Sequence, residues 1–227
     1  SQLLGVMKGH LAECWDISPA GLTNTFRLRM GVHWHNKPPM NGRELTAKDL
    51  EYHYHRYLVL GSCFPDPGTG LGRLGSMLWE SITATDDWTV VFKLKQPQPG
   101  ALLTLLDDPF VFIQPPEVIR QHGDVKDWRN LVGTGPFMLT DWVEGSSMTW
   151  VKNPDYWGSD EKYPNNRLPY VDELKLLAIP ELATSLAALR SGKLDYHRQV
   201  TDFDAVLSVQ RTNPEIAAYF FYFRSND

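Results

Sequence analysis

The order of elements predicted after Gly133 limits the fold of this chain more than any other feature of its 227 residues. Residues 137–143 and 148–152 flank Glu144-Gly145-Ser146-Ser147, and this pattern predicts a β-hairpin with a glycine in its loop. Strand-like and helix-like segments then alternate. A strand over 171–179, predicted to be buried on both faces, precedes a helix from Pro180-Glu181 to Gly192. A strand over 193–196, a helix with a capping box at 201–204 and a strand over 217–223 follow. This order predicts an α/β lobe.

The residues before Gly133 predict a smaller α+β lobe. Residues 22–29 and 88–95 alternate with a period of two, which is typical of strands with one solvated face, and residues 11–17 are a plausible partner strand. Two helices complete this half: one that begins with the capping box Thr46-Ala47-Lys48-Asp49 and runs to about Leu60, and a short one from Pro115-Pro116-Glu117 to about Gly123. We therefore expect an accessory lobe over residues 1–131 and an α/β lobe over 132–227.

Composition fits a globular protein and argues against some classes of function. Hydrophobic residues make up 42% of the chain and charged residues 22%, which is ordinary for a domain with a core. A net charge of −5 leaves no basic footprint for nucleic acid. No run of about 20 apolar residues could span a bilayer, and SQLLGVMKGH at the start lacks the pattern of a secretory signal. Aromatic residues reach 12%, which suits either a heavy core or an aromatic binding surface.

Several patterns with chemical meaning have simpler structural interpretations. The segment 70–75 spells a dinucleotide fingerprint, but a Pro/Gly loop precedes it instead of a strand, so a surface loop is favoured. His33 and His35 would share one face of a strand, whereas His53 and His55 would diverge on a helix, and no Cys or carboxylate cluster completes a metal site at either pair. No nucleophile stands in a catalytic motif, so we expect no enzyme, metal or cofactor. Pairing of Cys14 with Cys63 is left open.

The run Tyr196-His197-Arg198-Gln199 is the best candidate for a ligand site. It is predicted to follow a strand of an α/β lobe, and ligands gather beyond the carboxyl ends of such strands. Aromatic, polar and cationic side chains meet there, which suits a carboxylate or a peptide end. The alternative is an ordinary exposed loop. Arg198 is the residue that we most expect to contact a ligand.

Two blocks of sequence resemble the family-5 extracellular solute-binding proteins, the dipeptide, oligopeptide and nickel receptors of ATP-binding-cassette importers. The first is LAECWDISPAGLTNTFRLRMGVHWHN followed by NGRELTAKDLEYHYHRYL, and the second is GTGPFMLTDW, EGSSMTWVKNPDYWG and LPYVDELKLLAIPELATSLAALRSGKLDY, in the family's order. In this resemblance His35 occupies a structural turn position.

The resemblance implies a periplasmic binding protein-like fold, with 1–131 as the accessory lobe and 132–227 as part of the first ligand-binding lobe. Full-length members are more than twice this length, so the chain is expected to lack the second ligand-binding jaw. The implied function is capture of a peptide or similar small polar solute outside the cytoplasm, in the periplasm or at the cell surface, for delivery to a membrane permease. Binding is expected to be non-covalent, without cofactor, nucleic acid or membrane insertion by this segment. A solute-sensing domain of a regulatory protein is the competing function.

Overall fold

The computed structural model describes residues 8–58, 60, 78–98, 100–101, 112–198, 200 and 202–219. These residues belong to two compact units, one formed by Ser1–Trp142 with Thr149–Lys175 and the other by Val143–Met148 with Leu176–Asp227. Helices and strands are mixed, and the predicted α/β class is confirmed. The lobe boundary expected between residues 131 and 132 stays a prediction.

A four-stranded antiparallel sheet forms the centre of the first unit. Its strands, β1 to β4 in chain order, are Ala12–Ile17, Thr23–Leu28, Trp79–Ala84 and Thr89–Leu94, and their order in the sheet is β1-β2-β4-β3. The strands predicted over 11–17, 22–29 and 88–95 are thus confirmed, and they share one sheet. Strand β3 was not predicted from the sequence.

The core on this sheet is aromatic. Phe92 on β4 is 1% exposed, and its ring makes edge-to-face contacts with Phe26, Tyr54 and Trp79 at centroid distances of 5.3, 5.1 and 5.6 Å. Such pairs contribute about 0.5–1.5 kcal/mol each beyond the area that they bury. Much of the aromatic content of this unit is therefore used for packing.

Two helices of the first unit follow the predicted pattern. Helix α1 is Ala47–Leu58, and the Asp49 carboxylate accepts a hydrogen bond from the Thr46 amide (3.0 Å), which is one half of the predicted capping box. Helix α2 is Pro116–His122, and Gly123 ends it with a φ of 83°. Both predicted helices are confirmed.

A second sheet is built from β5 (Phe137–Val143), β6 (Ser147–Lys152) and β7 (Glu173–Leu177), in that order. The predicted hairpin is confirmed, and Gly145 in its loop adopts a φ of 69°, which favours glycine. The strand predicted over 171–179 exists as β7, but its predicted burial is wrong, because all five of its residues are exposed. β7 lies at the edge of the sheet, and no described element covers its apolar side chains.

The second unit carries helices α3 (Leu182–Arg190) and α4 (Phe203–Thr212), both of which were predicted. Asp202 caps α4 by accepting a hydrogen bond from the Ala205 amide (3.1 Å), whereas Thr201, expected as the cap, lies outside the described residues. The strand predicted over 193–196 is wrong, and residues 217–219 of the last predicted strand are irregular.

Some predicted features lie outside the described residues, namely the glycine-rich segment 70–75, Cys63 and residues 220–223. Cys14 is described and is exposed on β1. None of the described helices combines the length and the hydrophobicity that crossing a membrane requires.

Candidate functional site

The predicted ligand segment presents two of its side chains to solvent. Tyr196 is 73% exposed and Arg198 is also exposed, whereas His197 between them is half-buried. Gln199 lies outside the described residues. The structure therefore places a phenol and a guanidinium at the surface, one on each side of an inward-facing imidazole.

His197 is anchored to helix α3 through Ser185. The Ser185 hydroxyl is 4% exposed and donates to the Leu182 carbonyl (2.9 Å), so its free lone pair accepts from His197 Nε2 at 3.0 Å. This arrangement requires the tautomer with hydrogen on Nε2. Nδ1 of the same ring is then an acceptor, and it is buried without a hydrogen-bond partner among the described residues. The anchor fixes His197 and, through the backbone, limits where Tyr196 and Arg198 can point.

The segment follows a helix end, and this corrects the expected placement beyond a strand. The amides of Lys193 and Leu194 both donate to the Ala188 carbonyl, at 2.9 and 3.3 Å, and Gly192 adopts a φ of 69°. These amides close the end of α3, so they are engaged by the helix instead of a neighbouring strand. The segment therefore does not lie beyond a strand end, and the prediction for Arg198 rests on its exposure and its chemistry.

Sequence reasoning missed two polar residues that organise this unit. Ser185 was given no role from the sequence, although its position between Leu182 and Leu186 on the apolar stripe is a usable sign of a buried hydroxyl. Arg190 connects α3 to α4, because its guanidinium donates to Ser208 Oγ (3.0 Å) and its carbonyl accepts from the Asn213 amide group (3.3 Å).

In the first unit, the backbone at Gly133-Thr134-Gly135-Pro136-Phe137 is held by two buried polar side chains. His35 Nδ1 accepts from the Gly133 amide (3.2 Å), and its Nε2 donates to the Gly135 carbonyl (3.0 Å). Asn153, 2% exposed, donates to the same carbonyl (3.0 Å), and its own amide donates to the Pro136 carbonyl (2.8 Å). The loop that opens β5 is therefore fixed in one conformation.

The histidines that suggested a metal each have a different partner. His33 Nδ1 donates to the Gly42 carbonyl (2.8 Å), and both ring nitrogens of His35 are used as described above. His55 Nε2 donates to the Ile82 carbonyl (2.6 Å), whereas His53 Nδ1 accepts from the Gln114 amide (3.2 Å). Within the described part of the chain, no three His, Cys, Asp or Glu side chains are grouped as a metal site would require.

Burial lowers the pKa of two of these histidines. Desolvation is the main cause at His53, where it lowers the pKa to about 4, and the nearby charge of Arg56 adds to it. At His35 desolvation again lowers the pKa, against an opposing contribution from the hydrogen bond to Gly135. Both rings are neutral at pH 7, as their roles as hydrogen-bond acceptors require.

The sheets, helices and anchored loops described here are those of a periplasmic binding protein. The solved structure of a Helicobacter pylori periplasmic binding protein in complex with the peptide STSA superposes with a TM-score of 0.65 at 30% identity, over 82% of this chain and 37% of that one. A mannopinic acid complex from A. tumefaciens R10 gives a TM-score of 0.74 at 25% identity, over 92% and 38%. The predicted periplasmic binding protein-like fold is confirmed.

The sequence matches the family described as bacterial extracellular solute-binding proteins, family 5 Middle, over residues 6–225, and the chain belongs to that family. The dipeptide-binding protein of Escherichia coli K12 is 31% identical over 197 residues, which cover 81% of this chain and 34% of that protein. The chain spans about a third of the length of the relatives that it matches. These relatives are substrate-binding proteins and not enzymes.

Proposed function

We propose that this chain is the part of an ATP-binding-cassette importer's receptor that holds one side of a peptide ligand. The family comprises extracellular solute-binding proteins, and similar proteins are named for dipeptides or were solved with a peptide bound. The receptor acts in the periplasm or at the cell surface and passes its ligand to a membrane permease. Peptides are the proposed ligand class; an opine-like acid is the second, since a mannopinic acid complex has the same fold.

The observation that supports a site in this chain is the exposed pair Tyr196 and Arg198 on either side of the anchored His197. Arg198 can form two parallel hydrogen bonds with a carboxylate, such as the C-terminus of a peptide. Tyr196 offers a flat apolar ring and a hydroxyl for the adjoining peptide unit. Gln199 completes the proposed set. His197 also belongs to the proposed set, and its bond to Ser185 anchors this loop to α3.

The binding measurement is made on a protein with the length of the relatives, containing these 227 residues. We expect Arg198→Gln to weaken binding of dipeptides about tenfold or more in calorimetric titration, because a charge-assisted pair is lost. Arg211→Gln is the matched control, since it removes an exposed arginine on α4. Equal affinities for the Arg198 variant and the unmodified protein would contradict the assignment of this site.

A transport assay distinguishes the proposed transport function from the competing function, a solute-sensing domain of a regulator. Cells that lack the gene should fail to take up labelled dipeptide and should recover uptake when the gene is restored. If uptake is unchanged but transcription responds to dipeptide in a gene-dependent way, the sensing function is correct and the transport proposal is wrong.

A further inference from the structure

A pocket of about 410 Å³ lies in the first unit, and it shares no residue with the segment Tyr196–Arg198. Its volume is within the range of about 300–1,000 Å³ that small-molecule sites occupy. The lining combines apolar, aromatic, polar and cationic side chains, contributed by Asn36, Lys37, Trp128, Arg129, Met138, Leu139 and Thr140.

The base and the wall of the pocket are apolar. Met138 on β5 is half-buried, whereas Leu139, the next residue along the strand, is 4% exposed and belongs to the opposite face of the sheet. Trp128 belongs to a short 3-10 helix, Trp128–Asn130, whose first turn is capped by Asp127 through the Arg129 amide (3.0 Å). The pocket is open to solvent on one side, so an aliphatic or aromatic group would be removed from water only in part, which favours binding by about 25 cal/mol for each Å² buried.

The polar side of the pocket carries two cations. Lys37 is half-buried; its ammonium donates only a long hydrogen bond to the Leu131 carbonyl (3.4 Å), and no carboxylate within the described ranges lies closer to it than 4.0 Å. Burial lowers the pKa of Lys37, and the charge of Asp127 opposes this shift only in part, so an added anion would further offset the cost of holding this charge. The Arg129 guanidinium lies 5.1 Å from the centre of the Trp128 ring, and its Nη1 lies 3.3 Å from the Asp127 carboxylate. An arginine has five N–H donors, so the contact with Asp127 leaves others for a ligand.

The backbone around the pocket is already fixed. The Lys37 amide donates to the His35 carbonyl (2.7 Å), and the His35 ring is bonded to Gly133 and Gly135, which lead into β5. A preformed site avoids part of the ordering cost of binding.

We propose that this pocket is a second binding site, for a small carboxylic acid with an aromatic or branched apolar body. The apolar body lies against Met138 and alongside Trp128, while the carboxylate lies between Lys37 and Arg129. Asn36 supplies a further donor at the rim, whereas the Thr140 hydroxyl already donates to the Thr149 carbonyl (3.2 Å). The apolar base disfavours inorganic anions such as phosphate, which would leave it unfilled.

The test uses phenylbutyrate as the probe and the 227-residue chain as the protein. The Met138 methyl resonance, assigned by its loss in Met138→Leu, should shift on titration. Phenylbutanol, which lacks the carboxylate, and acetate, which lacks the apolar body, should each bind at least about fivefold more weakly, because each keeps only one of the two interactions.

Lys37→Met keeps most of the aliphatic stem and removes the charge, and we expect it to weaken phenylbutyrate binding at least about fivefold, as Arg129→Gln should. Lys126→Gln is the control, since Lys126 is an exposed lysine paired with Asp124 and does not line the pocket. Circular dichroism and the methionine spectrum verify that each variant is folded. The proposal is overturned if phenylbutyrate leaves the Met138 signal unmoved, if phenylbutanol binds equally well, or if the Lys126 variant loses as much affinity as the Lys37 variant.

Discussion

At the scale of single residues, the buried polar side chains of this chain hold backbone in place. His35 and Asn153 are the clearest cases, because both bond to the Gly135 carbonyl and both are nearly inaccessible to solvent. The resemblance of the sequence to its family implied a structural role for His35, and the contacts explain it: one ring nitrogen must donate while the other accepts. The side chain of Asn153 had no predicted role, since an Asn before Pro ordinarily indicates only a turn.

Asn153→Leu should lower the free energy of unfolding by about 2–3 kcal/mol. The substitution removes the bond to Gly135, whose carbonyl keeps only His35, and the acceptor of the Asp155 amide (3.1 Å); such hydrogen bonds contribute about 0.5–1.5 kcal/mol each. Urea denaturation followed by tryptophan fluorescence measures the change. Asn130→Leu is the control, and it should cost clearly less because Asn130 is only half-buried. Similar losses in the two variants would show that the Asn153 contacts contribute little.

His53 should make stability depend on pH. Its pKa is about 4 in the folded chain against 6.5 for an ordinary histidine, so the unfolded chain binds more protons between those values. The contribution of His53 is fully present above pH 6.5 and is lost as the pH falls toward 4, to a total of about 3 kcal/mol. Below pH 4 the ring is protonated in both states and adds no further slope.

Denaturation midpoints at pH 7 and pH 4.5 test this prediction with His53→Asn, whose side-chain oxygen can still accept from the Gln114 amide. The variant should lose less stability than the unmodified chain between these two pH values. His122→Asn, which removes an exposed histidine, should retain the original dependence. Parallel curves for the His53 variant and the unmodified chain would exclude the buried ring as the cause.

At the scale of elements, sequence patterns located most strands and helices but did not determine what covers them. The alternation in β2 and β4 and the capping residues of α1 and α4 are local signals, so they could be found from the sequence. The exposure of β7 depends on whether another element packs on it, which no local pattern states. The segment 193–196 was predicted as a strand, but the end of α3 engages the amides of Lys193 and Leu194 instead. Ser185 and His197 were too far apart in sequence for their contact to be predicted.

Arg43 is the strongest link between two elements of the first unit. Its guanidinium forms a two-bond pair with Asp49 on α1 (2.8 and 2.6 Å) and another with Glu117 on α2 (2.7 and 2.8 Å). Asp49 is 3% exposed, so its charge depends on this partner. The same pairs lower the pKa of Glu117 and raise that of Arg43.

Arg43→Lys should therefore destabilise the chain by about 2 kcal/mol even though the charge is kept, because a lysine cannot form two paired bonds with both carboxylates. This figure allows for solvent screening at the half-exposed Glu117 side. Thermal unfolding at low and high salt measures the loss. Lys48→Arg is the control, since Lys48 pairs with Asp87 at 3.6 Å on the surface and should change stability by less than about 0.5 kcal/mol. An Arg43 variant as stable as the control would show that charge alone is sufficient.

At the scale of the whole molecule, the chain spans about a third of the length of its relatives, and its proposed peptide site consists of an exposed segment. Ligand sites bury most of the ligand surface, and receptors of this class achieve this by closing two lobes on the ligand. We therefore expect these 227 residues alone to bind dipeptides and tripeptides only weakly. Losing half of the contacts would leave the entropic cost of immobilising the ligand nearly unchanged. A loss of about 4 kcal/mol of binding free energy would weaken binding about a thousandfold.

Calorimetric titration of the 227-residue chain with a mixed dipeptide and tripeptide library tests this expectation, and a protein of the relatives' length serves as the control. The longer protein should bind at least about a hundredfold more tightly. It adds contacts to the ligand, while the entropic cost of immobilising the ligand stays nearly the same. Arg198→Gln should weaken binding in the longer protein, while any weak binding by the shorter chain should change little. Micromolar or tighter binding by residues 1–227 would mean that they contain a complete site, and the proposed division of the ligand between two lobes would then be wrong.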